Sequence, residues 1–378
     1  MLPSAKSLLG GAAVVLTAAF SLELTVRVDD WAQFGVPLTA PAIAIEELAI
    51  RDSLGFHARP GTAFRQFRIN ALGFRGPELQ PLDSASSLII AAGASETFGL
   101  YETAGKEWPR QLADSLSGCG PNVQVANAAF AGMSLPTVRQ DFERRLARLS
   151  PDMVVYYPTP MQYLYDLPPS PAPPTTEVAP ALPLFRSRAL PRFRDAAKRG
   201  MPQPALDLLR RLDMWRARSA TGARASNTVE PERLERFERD LRGLVGVYRA
   251  AGAVPVLVVH ANRFSDTTSV ESRRLLTAWE RFYPRYTGLA IVRFDRLAAE
   301  RTVQVAKDSG LVAVDPRPAL LATPGAFNDF SHFNDAGSAV VGGLTARAIA
   351  PLVCSPEMDR SATTRPATAT SASATAPR

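Results

Sequence analysis

Three histidines and two cysteines are all that 378 residues contain. No Cys/His cluster stands at zinc-ligand spacing, and no glycine-rich loop of the phosphate-cradling kind occurs, so neither a metal nor a cofactor is expected. Nothing resembles a nucleic-acid-binding module, although the net charge is +7 and the pI is near 9.7. Much of the basic excess lies in residues 186–224, interleaved with Leu, Pro and Ala. Anionic lipid, acidic polysaccharide or a merely solvated helix face would each account for it. Residues 355–378 hold almost no large apolar side chain. They cannot bury a core and are expected to be disordered.

What is present is a pattern of short apolar runs alternating with amphipathic stretches. Hydrophobic residues make up 46% of the chain, enough for a sizeable core. Residues 88–92, 122–126, 152–157, 254–260 and 311–315 read as five strands. Helical spacing occupies 106–116, 135–149, 231–251, 270–283, 295–309 and 336–352. Strand and helix in alternation predict an α/β fold, a parallel sheet with right-handed crossovers. Ligand sites of such sheets lie past the C-terminal ends of the strands.

Appendages surround this unit. Residues 8–26 are largely apolar, with Lys6 before them and Arg27 just after, and predict a helix barely long enough to span a bilayer. An uncleaved anchor with the body outside the cytoplasm, a cleaved signal peptide and a buried helix of a soluble protein are the three readings. Residues 27–85 form an N-terminal extension. Short strands at 52–57 and 64–69 flank its Pro60-Gly61 turn, and His57 is expected to be a surface or strand histidine. Residues 166–228 change character: a proline-rich connection, then amphipathic helices near 192–200 and 203–218. They read as an insertion at the sheet rim, either a lid or substrate surface or else decoration. The central unit is therefore split into 86–165 and 229–354, with 1–26 before the extension and 355–378 as a tail.

The candidate chemistry sits at one strand end. The run Leu-Ile-Ile-Ala-Ala closes on Gly93-Ala-Ser95, which presents a serine above a small-residue turn. By itself this is an ordinary turn, and Thr97 stands where a Gly-x-Ser-x-Gly elbow would have its second glycine. Far downstream, Asp329-Phe-Ser-His332 puts a carboxylate three residues before a histidine, a spacing at which the carboxylate can fix the imidazole tautomer. His260 ends the fourth strand. It could face the same rim or be an ordinary hydrogen-bonded histidine.

Gly93-Ala-Ser95, Val125-Ala-Asn127-Ala-Ala-Phe-Ala-Gly132 and Asp329-x-x-His332 followed by Phe333-Asn-Asp-Ala-Gly337, in this order, resemble the blocks of the SGNH (GDSL-like) hydrolase family. The lead-in Ile69-Asn-Ala-Leu-Gly-Phe-Arg-Gly-Pro77 is similar to that of its membrane-anchored bacterial members. The resemblance covers about residues 50–164 and 240–352. It implies a flavodoxin-like three-layer α/β/α fold with about five parallel strands. It further implies Ser95 as nucleophile, His332 as base and Asp329 as its orienting group, with an oxyanion hole from the N–H groups of Ser95 and Gly132. Ala94 departs from the usual Asp. Met161 stands at the oxyanion-hole asparagine, and only Gln162 beside it could donate instead.

The implied activity is a serine ester hydrolase or an O-acyl, foremost acetyl, transferase. The implied substrate is an ester-bearing cell-envelope glycan. The implied location is the cell inner membrane, single-pass, with the main domain on the periplasmic side. The alternative is a catalytically impaired binding or assembly protein that kept the fold. In an oxidising compartment Cys119 and Cys354 could pair, tying the last helix to the first core helix.

Overall fold

The computed structural model describes residues 5–40, 45–81, 86–119, 123–165, 186–221 and 225–354. The proline-rich part of the insertion and the C-terminal tail lie outside the described residues. The chain starts with helix α1 (Ala5–Phe34), which runs eight residues past the expected Val26. Two antiparallel ribbons follow: β1 (Ala49–Asp52) with β2 (Gly55–Ala58), and β3 (Ala63–Phe64) with β4 (Phe67–Arg68). The stretches expected as single strands at 52–57 and 64–69 are thus each broken by a tight turn, one at Ser53-Leu54 and one at Arg65-Gln66. His57 lies buried in β2 rather than at the surface, its Nδ1 2.9 Å from the Ala58 carbonyl oxygen.

The central unit contains, in order, β5 (Ser87–Ala92), α2 (Ser95–Phe98), α3 (Trp108–Ser115), β6 (Val123–Asn127), α4 (Leu135–Arg144), β7 (Met153–Tyr156), α5 (Ala189–Arg199), α6 (Gln203–Thr221) and α7 (Pro231–Ala250). It continues through β8 (Val254–Val258), α8 (Val270–Glu280), α9 (Gly288–Asp308), β9 (Val312–Val314), α10 (Arg317–Ala322) and α11 (Asp335–Val353). All five central strands are parallel, in the spatial order β6-β5-β7-β8-β9. This is the flavodoxin-like order. The winding reverses at β5, so the crevice beyond the C-terminal end of β5 is where such a sheet offers a site.

Alternation along the strands explains the two covering layers. Leu88, Ile90 and Ala92 of β5 point to one face, with Phe142 of α4, Leu241 and Tyr248 of α7, and Ile291 and Phe294 of α9. Ile89 and Ala91 point to the other, with Trp108 and Leu112 of α3, and Val341 and Ile349 of α11. A strand buried on both faces reads as an unbroken apolar run, which is why β5 shows no polar alternation. Helices α3 and α11 approach closely at Gly342, where a Cβ would come within 2.7 Å of the Gln111 Cβ and 2.9 Å of the Trp108 carbonyl oxygen. A disulfide between Cys119 and Cys354, with Cα atoms 4.6 Å apart, joins the far ends of this pair. Helix α11 is long and apolar enough to cross a membrane, yet it is a packed helix of this core.

The insertion docks on α1. Glu23 accepts from the Ser187 hydroxyl and from the N–H groups of Arg188 and Ala189 at the start of α5. Arg188 and Arg192 pair with Asp30. Arg218 of α6 pairs with Glu280 of α8. None of these contacts involves Ser95, Asp329 or His332.

Candidate active site

The nucleophile turn is shaped by what cannot fit there. A Cβ on Gly93 would fall on the Thr97 hydroxyl and within 2.8 Å of the Tyr157 carbonyl oxygen, so only glycine closes this turn. The single-turn helix α2 then starts on Ser95 itself, earlier than the helix expected over 106–116. First-turn N–H groups have no intrahelical acceptor, which leaves the Ser95 N–H available. Arg75 of the N-terminal extension braces the turn from below. Its N–H donates to the Asn127 carbonyl, and its guanidinium donates to the carbonyls of Phe98 and Gly99. Asn70 holds the same loop, accepting from Leu72 and Phe74 N–H and donating to the Pro77 carbonyl. The lead-in motif is therefore a support for the Ser95 turn.

Asp329 organises the other half. Its Oδ1 accepts from the N–H groups of Ser331 and His332 at 3.0 and 2.9 Å. Its Oδ2 lies 2.8 Å from His332 Nδ1. Three-residue spacing suits both contacts, since the turn that the carboxylate closes also brings the ring back to it. Asn334 then caps α11, accepting from Ala336 and Gly337 N–H. Two bonds stitch the halves together: Thr103 N–H to Asp335 at 2.7 Å and the Ser338 hydroxyl to Glu102 at 2.6 Å.

Across this seam His332 Nε2 stands 2.9 Å from Ser95 Oγ. Ser95, His332 and Asp329 thus form a continuous chain of contacts on the rim. The Asp329 and His332 side chains keep 20% and 14% of their exposure, and the Tyr101 ring packs edge-on against the imidazole. Burial would lower the His332 pKa. The hydrogen bond its ring donates to Asp329 and the charges of Glu96, Asp329 and Glu102 outweigh it and raise it. Burial raises Asp329, but the bond and charge of His332 and the two backbone N–H groups bring it below its ordinary value.

The remaining expected residues fare differently. Gly132 lies in the turn after β6, with φ +86° and open space above it. Met161 and Gln162 are both buried on a 3₁₀ turn, Pro160–Leu164. Among the described residues no hydrogen bond joins Gly132 or Gln162 to Ser95. The side chain of this stretch that reaches the site is Thr159, whose hydroxyl donates to Glu96 at 3.4 Å.

Sequence reasoning missed Glu96. It is 3% exposed, and its carboxylate accepts from the hydroxyls of Ser95 (3.1 Å) and Ser331 (3.2 Å). His260 lies beneath it, Nε2 3.7 Å from Glu96 and Nδ1 2.6 Å from Asp295. Neither contact has hydrogen-bond geometry, so opposite charge holds them. Asn262 donates to the other Asp295 oxygen at 2.6 Å. Burial favours the neutral forms. The neighbouring charges prevail, holding Glu96 down at about 2 and pushing His260 up to about 10. A lone Glu inside an otherwise small and apolar stretch was the available signal. Among the described residues no group of three His, Cys, Asp or Glu side chains is arranged to hold a metal ion.

No family model matches the chain, and no curated protein does. Solved structures similar to it include a lipase/acylhydrolase from Enterococcus faecalis, at 14% identity and TM-score 0.42, covering 72% of this chain and 99% of that one. Another is the acetylxylan esterase Axe2 of Geobacillus stearothermophilus, at 14% and 0.41, covering 71% and 96%. A third is LAE5, an alpha/beta hydrolase enzyme from the metagenome of Lake Arreo, Spain, at 15% and 0.40, covering 69% and 94%. Likeness at this level does not carry chemistry from one protein to another. The chemistry rests on the contacts of Ser95.

Proposed function

We propose that the chain is a serine-dependent ester hydrolase or acyl transferase. The 2.9 Å contact between Ser95 Oγ and His332 Nε2, with Asp329 on the opposite ring nitrogen, carries this reading. Ser95 Oγ attacks an ester carbonyl as its proton passes to Nε2. The tetrahedral intermediate then collapses, and the departing alkoxide takes that proton. Water or an acceptor hydroxyl next attacks the acyl-serine with His332 again as base, and Ser95 regains its proton. The backbone N–H groups of Ser95 and Gly132 are the proposed oxyanion donors. In this reading Thr159, rather than Gln162, is the side chain beside Met161 that approaches this chemistry, through Glu96. A serine-reactive fluorophosphonate should label wild-type protein and not Ser95→Ala, and p-nitrophenyl acetate should be turned over only by the wild type.

We further propose that α1 is an uncleaved inner-membrane anchor, that the body lies outside the cytoplasm, and that the substrate is an acyl ester, foremost acetyl, on cell-envelope glycan. Val14, Val15, Leu16 and Phe20 of α1 are between 67% and 70% exposed, which suits a helix surrounded by lipid. The Cys119–Cys354 bond suits an oxidising compartment. Alkaline phosphatase fused after residue 85 should be active, and the intact protein should sediment with membranes. An inactive fusion would remove the topology.

Two observations favour the non-catalytic alternative. Met161 fills the expected asparagine position, and a carboxylate, Glu96, lies against the Ser95 hydroxyl. Absence of both fluorophosphonate labelling and turnover in folded protein would decide for it.

A further inference from the structure

We propose that Glu96 is a positioning residue for the Ser95–His332 pair, clamping the nucleophile turn, the histidine loop and the end of β7 through three hydroxyls while His260 and Asp295 hold it from behind. The proposal rests on the reading of Ser95 and His332 as nucleophile and base. Three separate segments converge on one carboxylate: Ser95 from the turn after β5, Ser331 beside His332, and Thr159 past β7. A carboxylate accepts several hydrogen bonds and donates none, so each of the three hydroxyls can donate to it. His260 fixes the carboxylate in turn, and Asp295 fixes His260 from α9. This chain of charges is separate from Asp329, and it ends on the same two residues.

Counting protons shows what the clamp does. The Ser95 hydroxyl has one hydrogen and two acceptors, His332 Nε2 at 2.9 Å and Glu96 Oε2 at 3.1 Å. When Nε2 is bare, it and the Glu96 carboxylate compete for that hydrogen. When Nε2 is protonated, the ring donates to Oγ and Ser95 donates to Glu96, so every donor is satisfied. As Ser95 attacks, Oγ has given its hydrogen to Nε2 and has none for Glu96, so there the Glu96 carboxylate favours the charged imidazole through its charge. The other charged or titratable groups facing His332 are Asp329 on its own loop and Glu102 and Tyr101 after α2. The positive charge of His260 offsets the carboxylate, limiting its repulsion of an oxyanion above Ser95. A salt-bridge network with no link to chemistry would share the burial but not this proton arrangement.

Three histidines in the chain make the test clean. Full-length protein labelled with ¹⁵N-histidine should show His260 carrying both ring protons from pH 5 to 8, and His332 titrating above an ordinary histidine. Glu96→Gln keeps the shape and removes the charge. It should shift the His332 titration to lower pH and lower kcat roughly tenfold or more with KM little changed, as misplacement of reacting groups does. Ser331→Ala, which leaves the charges alone, should lower kcat with no shift of the titration. Folded Glu96→Gln with an unmoved His332 titration would overturn the proposal. If that variant fails to fold, a singly protonated His260 in the wild type, or a Ser331→Ala variant with unchanged kcat, would overturn it instead. The His332 titration needs no turnover. An unlabelled Ser95 in the fluorophosphonate assay would therefore end the esterase reading while the Glu96–His332 linkage is still measured.

Discussion

Ser95 Oγ and His332 Nε2 lie 2.9 Å apart at a sequence separation of 237. Both halves of this contact are built locally, one by a turn that admits only glycine at position 93 and the other by Asp329. The seam between them is closed by Glu102 with Ser338 and by Thr103 with Asp335. Position in the fold, more than proximity in sequence, gives the pair its chemistry.

Removing either partner should remove turnover. Ser95→Ala and His332→Ala are expected to lower p-nitrophenyl acetate hydrolysis by at least about 10³-fold, and Asp329→Asn by a comparable factor through the wrong imidazole tautomer. Circular dichroism should be unchanged in all three. Retention of wild-type rates in any of them would break the assignment of that residue.

The activity should rise with pH along a limb set by His332, because only the neutral ring can accept the Ser95 proton. Its pKa is raised above the ordinary 6.5, so half-maximal kcat/KM should fall above that value. The same shift bears on folding. The stabilisation from charged His332 is complete below 6.5 and is lost as pH rises through the raised folded value. A pH–rate profile with its acid limb below that of a free histidine would contradict the electrostatics described for the site.

The Cys119–Cys354 bond closes a loop with a sequence separation of 235. Chain entropy alone gives such a link about 5 kcal/mol against unfolding, an upper figure before any native-state strain. Reduction, or the double change to serine, should therefore lower the melting temperature markedly. Non-reducing mass spectrometry should find the linked peptide, and two free thiols in exported protein would dispose of the bond.

Gly93→Ala should be costly despite its small size. The new methyl would collide with Thr97 and with the Tyr157 carbonyl, and the backbone must move to relieve it. Overpacking of this kind costs about 1–3 kcal/mol, and the shift displaces Ser95. Thermal denaturation together with fluorophosphonate labelling rate measures both effects. An alanine variant as stable and as reactive as wild type would mean the turn is looser than described.

The legible parts of this protein were those dictated by short-range chemistry. An unbroken apolar run ending in small residues identified β5 and its turn, and Asp329-x-x-His332 could be read because its geometry is confined to four residues. Helix α9 was less legible. Asp295 resembles a helix start, but the helix begins at Gly288, where Thr287 caps it by accepting from the Ala290 N–H. Asp295 consequently sits two turns inside, buried against His260, a placement that no local pattern encodes. Glu96 escaped for a similar reason, since its partners come from three distant segments. The two ribbons before β5 were less legible because the turns at Ser53-Leu54 and Arg65-Gln66 lack glycine and proline, and Arg65 adopts φ 50° regardless.

The docking of α11 on α3 also sets a schedule. During synthesis Ser95 emerges long before His332, and the seam forms only when the segment from Asp335 onward has arrived to engage Thr103 and Glu102. A polypeptide still emerging from the ribosome holds its serine without a base. Whatever chemistry the rim performs begins only once synthesis has passed α11, and the bond from Cys354 to Cys119 then locks that later segment in place.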